Sequence, residues 1–193
     1  MKNILVTYAT MSGTTADVAQ AVGEELTKKG AHVDVLPLSQ AIKLTGYDAV
    51  VLGAPMIMGW HRDAAKFLKQ NNKILGRVPL ALFATAMSLT QTGETSMDGV
   101  PVFVDEHLAQ PAQVEGKLSF KERYASIPGY VTPILKAAGQ TKPVSVALFG
   151  GRLDIYRLKW WAALFVMLVI QAKPGEKRNW DAIRAWAGSL PVM

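Results

Sequence analysis

Apolar runs and amphipathic segments alternate along most of the chain. The first run, Ile4 to Val6, precedes Val18, Val22 and Leu26, which recur at every fourth residue and mark one face of a helix. The same alternation predicts strands at residues 31–36, 48–53, 78–84 and 144–149 and helices at residues 62–71, 127–138, 160–171 and 180–190. This pattern indicates an α/β fold, a five-stranded parallel sheet with helices on both faces.

One long segment interrupts the rhythm before the fifth strand. Residues 85–126 contain three glycines, two prolines and many polar side chains. A loop of that length is unusual in a compact domain and is often a functional lid. We therefore expect residues 91–126 to be an insertion, with a short helix at residues 118–124. The chain shows no internal repeat and no sign of a second domain, so residues 1–193 are expected to form a single domain.

The turn after the first strand is rich in hydroxyl groups. Four hydroxyl-bearing residues surround one glycine at the start of the first helix, namely Thr10, Ser12, Gly13, Thr14 and Thr15. The first N–H groups of a helix lack internal partners and the helix dipole is positive there, so this turn suits a phosphate. No basic residue lies between Lys2 and Lys28, so backbone and hydroxyl donors alone would hold the anion. The alternative is a simple N-cap without a ligand, for which one such residue would suffice.

Ligands of open parallel sheets lie at the carboxyl ends of the strands. The loops after the first, third, fourth and fifth strands should therefore build one site. In this chain those loops are Thr10–Thr15, Ala54–His61, Thr85–Thr90 and Gly150–Tyr156.

The turn Thr10-Met11-Ser12-Gly13-Thr14-Thr15 resembles the FMN-phosphate loop of the flavodoxin family, Ser/Thr-x-Thr/Ser-Gly-x-Thr. The resemblance implies the strand order 2-1-3-4-5 and FMN as the cofactor. It also implies that the loop after strand three covers the isoalloxazine ring and that the loop after strand four donates N–H groups to its pyrimidine edge. The cofactor-binding residues expected on this basis are Thr10, Met11, Ser12, Gly13, Thr14, Thr15, Pro55, Met56, Ile57, Met58, Gly59, Trp60, Thr85, Ala86, Met87, Ser88, Leu89 and Gly151.

The loop after the third strand has the apolar composition that a flat apolar ring requires. Trp60 is a candidate to stack on the ring or on a substrate. The alternative is that Met56, Met58 and Trp60 are ordinary core residues, since methionine often fills gaps in a core.

The end of the chain extends the resemblance. Residues 150–156, the apolar helix after them and Asn179-Trp180-Asp181 resemble the branch of the family that contains menaquinone-dependent protoporphyrinogen dehydrogenase. Ile57-Met58 stand where that branch has an Arg-Tyr pair. The resemblance implies a quinone acceptor and a protoporphyrinogen-like substrate, and no side chain stands out as a catalytic acid or base. The candidates for substrate binding are Arg152, Tyr156 and Arg157, because arginine forms bidentate pairs with carboxylates.

The amino-acid composition limits which metal sites and which partners are expected. The absence of cysteine excludes disulfides, iron–sulfur clusters and thiolate zinc sites, and the three histidines show no metal-ligand spacing, so we expect no metal. The net charge is +6, and residues 151–193 hold 7 basic and 3 acidic side chains, which gives that segment four of the six surplus charges. This asymmetry fits an anionic substrate, an anionic membrane surface or solubility alone. Nucleic acid is not an expected partner, since no recognised motif is present.

The apolar segments also bear on location. The run Ile4 to Val6 is too short for a signal peptide, so a cytoplasmic location is expected. The helix at residues 160–171 would span about 16 Å, against roughly 30 Å for a bilayer core, and cannot cross it. It is either a buried packing helix or part of a peripheral contact, over residues 157–173, with the inner face of the membrane.

The sequence as a whole predicts an FMN-dependent oxidoreductase. In this hypothesis a substrate reduces the flavin, and the reduced flavin passes electrons to a quinone-like acceptor. One alternative is a flavodoxin-type electron carrier without a small-molecule substrate, which the basic net charge disfavours because classical flavodoxins are usually acidic. A second alternative is a flavin-free scaffold or regulatory domain that keeps only the fold.

Overall fold

A seven-stranded sheet lies at the centre of the molecule. The computed structural model describes residues 1–41, 43–57, 59–91, 93–114, 116–153 and 175–191. In chain order, the described elements are β1 (Asn3–Tyr8), α1 (Thr14–Lys28), β2 (His32–Pro37), β3 (Ala49–Pro55), α2 (Arg62–Leu75), β4 (Leu80–Ala86), β5 (Leu89–Thr90), β6 (Ser96–Met97), β7 (Val100–Val104), β8 (Ala109–Gln110), α3 (Phe120–Tyr124), α4 (Ile127–Ala138), β9 (Ser145–Gly150), β10 (Arg152–Leu153), β11 (Gly175–Glu176) and α5 (Trp180–Ser189).

The strand order confirms the predicted topology. The sheet runs β2-β1-β3-β4-β9-β7-β6, and the first five strands are parallel. Since β9 is the fifth predicted strand, this is the order 2-1-3-4-5. Two small two-stranded sheets, β10 with β11 and β5 with β8, lie beside the carboxyl ends of the main strands.

The inserted segment is not the long loop that we expected. Within residues 91–126, β7 adds to the sheet parallel to β9, and β6 pairs antiparallel with β7. Val100, Val102 and Val104 alternate with Pro101 and Phe103, which is the period-two pattern of a half-buried strand. The glycines and polar residues around this short strand conceal the pattern, so the sequence reading missed it.

Alternate residues of the central strands enter two separate cores. Ile4 and Val6 of β1 pack on one face with α1 and α5, whereas Leu5 packs on the other face with α2 and α4. All three side chains are fully buried. The helices therefore cover both faces of the sheet, as the apolar runs predict.

Most helices begin and end near the predicted positions. α4 matches residues 127–138, and Ser126 caps it by accepting a hydrogen bond from the N–H of Gly129. α2 is longer than predicted and reaches Leu75. The apolar helix predicted at residues 160–171 lies outside the described residues. Among the residues that are described, no helix is both long and apolar enough to cross a membrane.

A buried carboxylate joins the inserted segment to the rest of the fold. Asp105 follows β7 and is fully buried. Its Oδ2 accepts a hydrogen bond from the N–H of Gly150 at 3.1 Å, and its Oδ1 accepts from the N–H of His107 at 3.0 Å and from Nδ2 of Asn179 at 3.2 Å. Asn179 in turn caps α5. One side chain thus connects β7, the end of β9 and the start of α5.

We expect Gly53→Ala to destabilise the fold by about 1–3 kcal/mol. Gly53 lies opposite Phe83 in the β3–β4 register, and a Cβ atom there would overlap the Phe83 ring, which is fully buried and packed against Phe149 and Trp186. Urea unfolding measures the change. Gly188→Ala in α5 is the control, because its Cβ would lie 3.7 Å from the nearest described atom and should leave stability unchanged or raised. Equal stability of the two variants would contradict this packing.

We expect Asp105→Asn to destabilise the fold by about 1–3 kcal/mol, because an amide nitrogen would face a buried N–H donor in place of a carboxylate oxygen. Urea unfolding measures this change in stability as well. Asp48→Asn is the matched control, since Asp48 is exposed and accepts a hydrogen bond from the N–H of Asn3. That variant should stay within about 0.5 kcal/mol of the parent. An equally small effect at position 105 would show that the junction does not depend on the carboxylate.

Candidate functional site

Four loops at the carboxyl ends of β1, β3, β4 and β9 form one cleft. They are the loops in which the sequence predicts a site. The cleft is lined by Thr10, Met11, Ser12, Thr14, Thr15, Pro55, Met56, Ile57, Thr85, Ala86, Met87, Gly151 and Arg152. The structure therefore brings together the greater part of the predicted cofactor-binding residues.

The start of α1 forms one end of the cleft. Gly13 occupies the N-cap position with φ 88°, a left-handed conformation that glycine adopts at little cost. Among the described residues, no side chain caps this helix. The first hydrogen bond of the helix joins the N–H of Asp17 to the carbonyl of Gly13 at 3.1 Å. The N–H groups before it are directed out of the helix, and the helix dipole makes this end favourable for an anion.

The hydroxyl groups around this end are partly bonded to one another. Thr10 Oγ1 accepts a hydrogen bond from the N–H of Gly13 at 2.9 Å and keeps its own proton. Thr14 Oγ1 donates to the carbonyl of Arg152 at 3.0 Å and lies 3.3 Å from Ser12 Oγ. A hydroxyl carries one proton, so Ser12 is the donor to Thr14 in this geometry. Thr10 is therefore better placed than Ser12 or Thr14 to donate to an anion.

A second hydroxyl pair joins two of the loops. Thr15 Oγ1 and Thr85 Oγ1 lie 2.9 Å apart, and both residues are buried. Because either oxygen can be the donor, one O–H of the pair remains available. The pair holds the first turn of α1 against the end of β4, which fixes the floor of the cleft.

Exposed apolar side chains line the other part of the cleft. Met11 is 47% exposed and Ile57 is 41% exposed, although large apolar side chains elsewhere in the chain are mostly buried. Met56 and Met87 lie beside them in the lining. Gly151 closes this part, since its N–H donates to the carbonyl of Ala86 at 2.7 Å. Such a surface favours a flat apolar ligand.

Trp60 does not line the cleft, contrary to its predicted role in stacking. The N–H of Ile57 donates to the carbonyl of Gly59 at 3.0 Å, and Met56 and Trp60 form a bridge. The loop therefore folds back at Gly59, where φ is 110°, and Ile57 is near its tip. Trp60 returns to the core, where it is 7% exposed, and its Nε1 has no hydrogen-bond partner within the described part of the chain.

Other predicted residues also lie outside the lining. Leu89 is buried in the core, and Ser88 is exposed beyond the cleft. Gly13 and Gly59 are absent from the lining and contribute the turns described above. Met58, Tyr156 and Arg157 are outside the described residues, as are residues 160–171.

Two arginines, Arg152 and Arg178, lie at this end of the sheet. The sequence analysis expected backbone and hydroxyl donors alone to hold the phosphate. Arg152, predicted to bind substrate, lines the cleft beside the hydroxyl groups and lies opposite Glu176 in the β10–β11 pair. Arg178 donates hydrogen bonds to Glu176 and to Asp17, in the first turn of α1, and lies over the Trp180 ring. These bonds hold the pKa of Glu176 below its ordinary value. The hydrogen bond from Arg178 to Asp17 also offsets the negative charge of Asp17 near the start of α1, where an anion would bind.

One tyrosine that the sequence reading missed holds a cleft loop from behind. Tyr130 of α4 is 4% exposed, and its hydroxyl donates to the carbonyl of Ser88 at 2.9 Å. Burial raises the pKa of Tyr130 to about 12, so the hydroxyl keeps its proton at neutral pH. The Tyr124 ring stands nearly perpendicular to the Tyr130 ring, with the centroids 6.1 Å apart. Nothing in the local sequence pattern signals this arrangement.

The described residues fit FMN. A phosphate would lie at the start of α1, near Arg152 and near the hydroxyl of Thr10, whose proton has no partner among the described residues. A flat ring would lie against Met11, Ile57 and Met87. An anion-binding end and an apolar surface in one cleft match the phosphate and the ring of that cofactor.

Several known proteins are similar to this chain. An NAD(P)H dehydrogenase (quinone) from Acidovorax ebreus (strain TPSY) is 27% identical over 189 residues, and the match covers 80% of this chain and 93% of the relative. Oxidised flavodoxin 1 from Bacillus cereus matches with a TM-score of 0.49 and 14% identity, over 86% of this chain and 99% of the other. FMN-bound flavodoxin from Fusobacterium nucleatum matches with a TM-score of 0.45 and 15% identity, over 76% and 69%. The chain spans less than two thirds of some longer relatives, such as 24% of the rubredoxin oxygen:oxidoreductase from Desulfovibrio gigas.

A family model gives the assignment. The model, described as a flavodoxin domain, matches residues 5–179, which include most of the first predicted strand, the other four predicted strands and the four loops of the cleft. This match supports FMN as the cofactor. The chain belongs to the flavodoxin domain family.

Proposed function

We propose that the chain binds FMN in the cleft and acts as an oxidoreductase with a quinone as electron acceptor. The observation that carries the proposal is the uncapped start of α1, which shares one cleft with exposed apolar side chains. Membership of the flavodoxin domain family supports the cofactor. The relative that is an NAD(P)H dehydrogenase (quinone) supports the acceptor and suggests NAD(P)H as the reductant.

The residues at the start of α1 would hold the phosphate. The backbone N–H groups of the first turn supply donors, and Thr10 adds a hydroxyl whose proton has no partner among the described residues. Arg152 supplies the nearby positive charge that the loop itself lacks. The hydrogen bond from Thr14 to the carbonyl of Arg152 keeps β10 close to this turn. Anchoring at this end fixes where the rest of the ligand lies.

The apolar residues would orient the ring and keep water from it. Met11, Ile57 and Met87 present apolar atoms to the cleft, and burying them against a ligand gains hydrophobic free energy. The Thr15–Thr85 pair and the bond between Gly151 and Ala86 keep the loops in place. When bound, FMN supplies the redox chemistry, accepting electrons from a reductant and releasing them to an acceptor.

This proposal has two forms, which differ in the molecule that reduces the flavin. The resemblance of the chain's end to protoporphyrinogen dehydrogenases makes protoporphyrinogen a second candidate for the reductant. Mixing oxidised protein with NAD(P)H or with protoporphyrinogen, each with a menaquinone analogue, identifies the donor. Turnover with neither donor would favour an electron carrier. If the protein does not bind FMN, only a scaffold role remains.

We expect Ser12→Asp to weaken FMN binding at least about tenfold, because a carboxylate near the start of α1 repels the phosphate. Titration with flavin fluorescence quenching gives the dissociation constants. Ser12→Asn is the matched control, since it has nearly the same shape without the charge. Riboflavin, which lacks the phosphate, should bind the two variants equally. If Ser12→Asp and Ser12→Asn bind FMN with the same dissociation constant, the phosphate does not lie at the start of α1.

A further inference from the structure

Arg178 lies between β11 and α5 and places a cation beside the first turn of α1. Its side chain is 7% exposed. Nε and one terminal nitrogen donate to the two carboxylate oxygens of Glu176, at 2.7 Å and 2.5 Å, as a bidentate pair. The other terminal nitrogen donates to Oδ2 of Asp17 at 2.6 Å, and the guanidinium carbon lies 4.6 Å from the centre of the Trp180 ring. The two carboxylates therefore fix where this charge lies.

The two partners of Arg178 lie where a negative charge would oppose a bound phosphate. The N–H of Asp17 makes the first hydrogen bond of α1, to the carbonyl of Gly13, so Asp17 belongs to the first turn. Glu176 lies opposite Arg152, a residue of the cleft lining. Like charges raise the free energy of a complex when they are close together. Without a cation between them, these carboxylates would weaken the binding of an anion at the start of α1.

The strand pair β10–β11 contacts the first turn of α1 from both of its strands. On the β10 side, Thr14 Oγ1 donates to the carbonyl of Arg152 at 3.0 Å. On the β11 side, Arg178 follows the strand by two residues and bonds to Asp17. Because each strand has its own bond to the helix, the fold holds the guanidinium beside the start of α1.

We propose that Arg178 is a positioning residue that offsets the charges of Asp17 and Glu176 and thereby makes the cleft select a phosphorylated flavin over an unphosphorylated one. The inference rests on the proposed function, since it assumes that the phosphate of FMN lies at the start of α1. Arg178 is not in the cleft lining, so it acts through the two carboxylates and does not contact the phosphate. A role in packing alone would affect FMN and riboflavin equally, because both carry the same ring.

Arg178→Gln tests the proposal through the difference between the two flavins. We expect the dissociation constant of FMN to rise about threefold to tenfold, because two carboxylates then lie near the phosphate without their cation. The dissociation constant of riboflavin should stay within about twofold, since riboflavin has no phosphate. Titration with flavin fluorescence quenching measures both. The loss for FMN should shrink at about 1 M salt, because Asp17 and Glu176 are 52% and 46% exposed and salt screens exposed charges.

Removing all three charges separates electrostatics from packing. The triple variant Asp17→Asn, Glu176→Gln, Arg178→Gln lacks both carboxylates and the guanidinium, but it nearly keeps the shapes of the two acidic side chains. The parent cluster holds two negative charges and one positive charge, whereas the triple variant holds none. It should therefore bind FMN at least as tightly as the parent does. If the triple variant binds FMN as weakly as Arg178→Gln alone, the charges are not the cause.

Arg77→Gln is the matched control, because it makes the same change of residue and of net charge. Arg77 is exposed and lies between α2 and β4, before the amino end of β4. The cleft lies at the carboxyl ends of the strands, so this variant should leave both dissociation constants within about twofold.

The outcomes separate this inference from the proposed function. Parent protein that binds no flavin overturns both. Parent protein that binds FMN, with Arg178→Gln indistinguishable from Arg77→Gln, overturns the inference alone, and so do equal losses for FMN and riboflavin. If Arg178→Gln fails to fold, Asp17→Asn is the decisive variant. It leaves Arg178 one carboxylate fewer to offset, so FMN should bind about threefold more tightly while riboflavin binding is unchanged. An unchanged ratio of the two dissociation constants in that variant would overturn the inference.

Discussion

The site depends on one junction, where β1 ends and α1 begins without a capping side chain from the described residues. Gly13 turns the chain through a left-handed conformation, and the helix starts with N–H groups directed at the cleft. Because β1 lies inside the sheet, between β2 and β3, the parallel pairing with a strand on each side holds this junction in place. The loops from β3, β4 and β9 gather around a point that the fold itself makes positive.

The inserted segment supports that arrangement from the far side of the sheet. β7 extends the sheet beyond β9, and buried Asp105 bonds to Gly150 at the edge of the cleft and to Asn179 at the start of α5. Tyr130 in α4, just after the segment, donates a hydrogen bond to the carbonyl of Ser88 and so holds the loop after β4. A stretch whose composition is typical of a mobile lid is therefore part of the framework.

The sequence predicts those parts of the fold that local patterns encode. Four of the five predicted strands are fully or largely buried runs, and the hydroxyl-rich turn around Gly13 is visible as a motif. It does not predict β7, where alternation extends over five residues only, or the return of Trp60 to the core, which follows from a backbone turn at Gly59. Contacts between distant side chains, such as Tyr130 with Ser88, leave no local pattern at all.

The pairing of β10 with β11 has a consequence for how this family can diversify. Leu153 and Gly175 face each other in an antiparallel register, so the chain departs from the cleft and comes back at neighbouring backbone positions. Whatever polypeptide is inserted between two such points need not disturb the sheet or the turn around Gly13. Substitutions and changes of length between those two positions can therefore accumulate while β1, α1 and the turn that joins them stay the same.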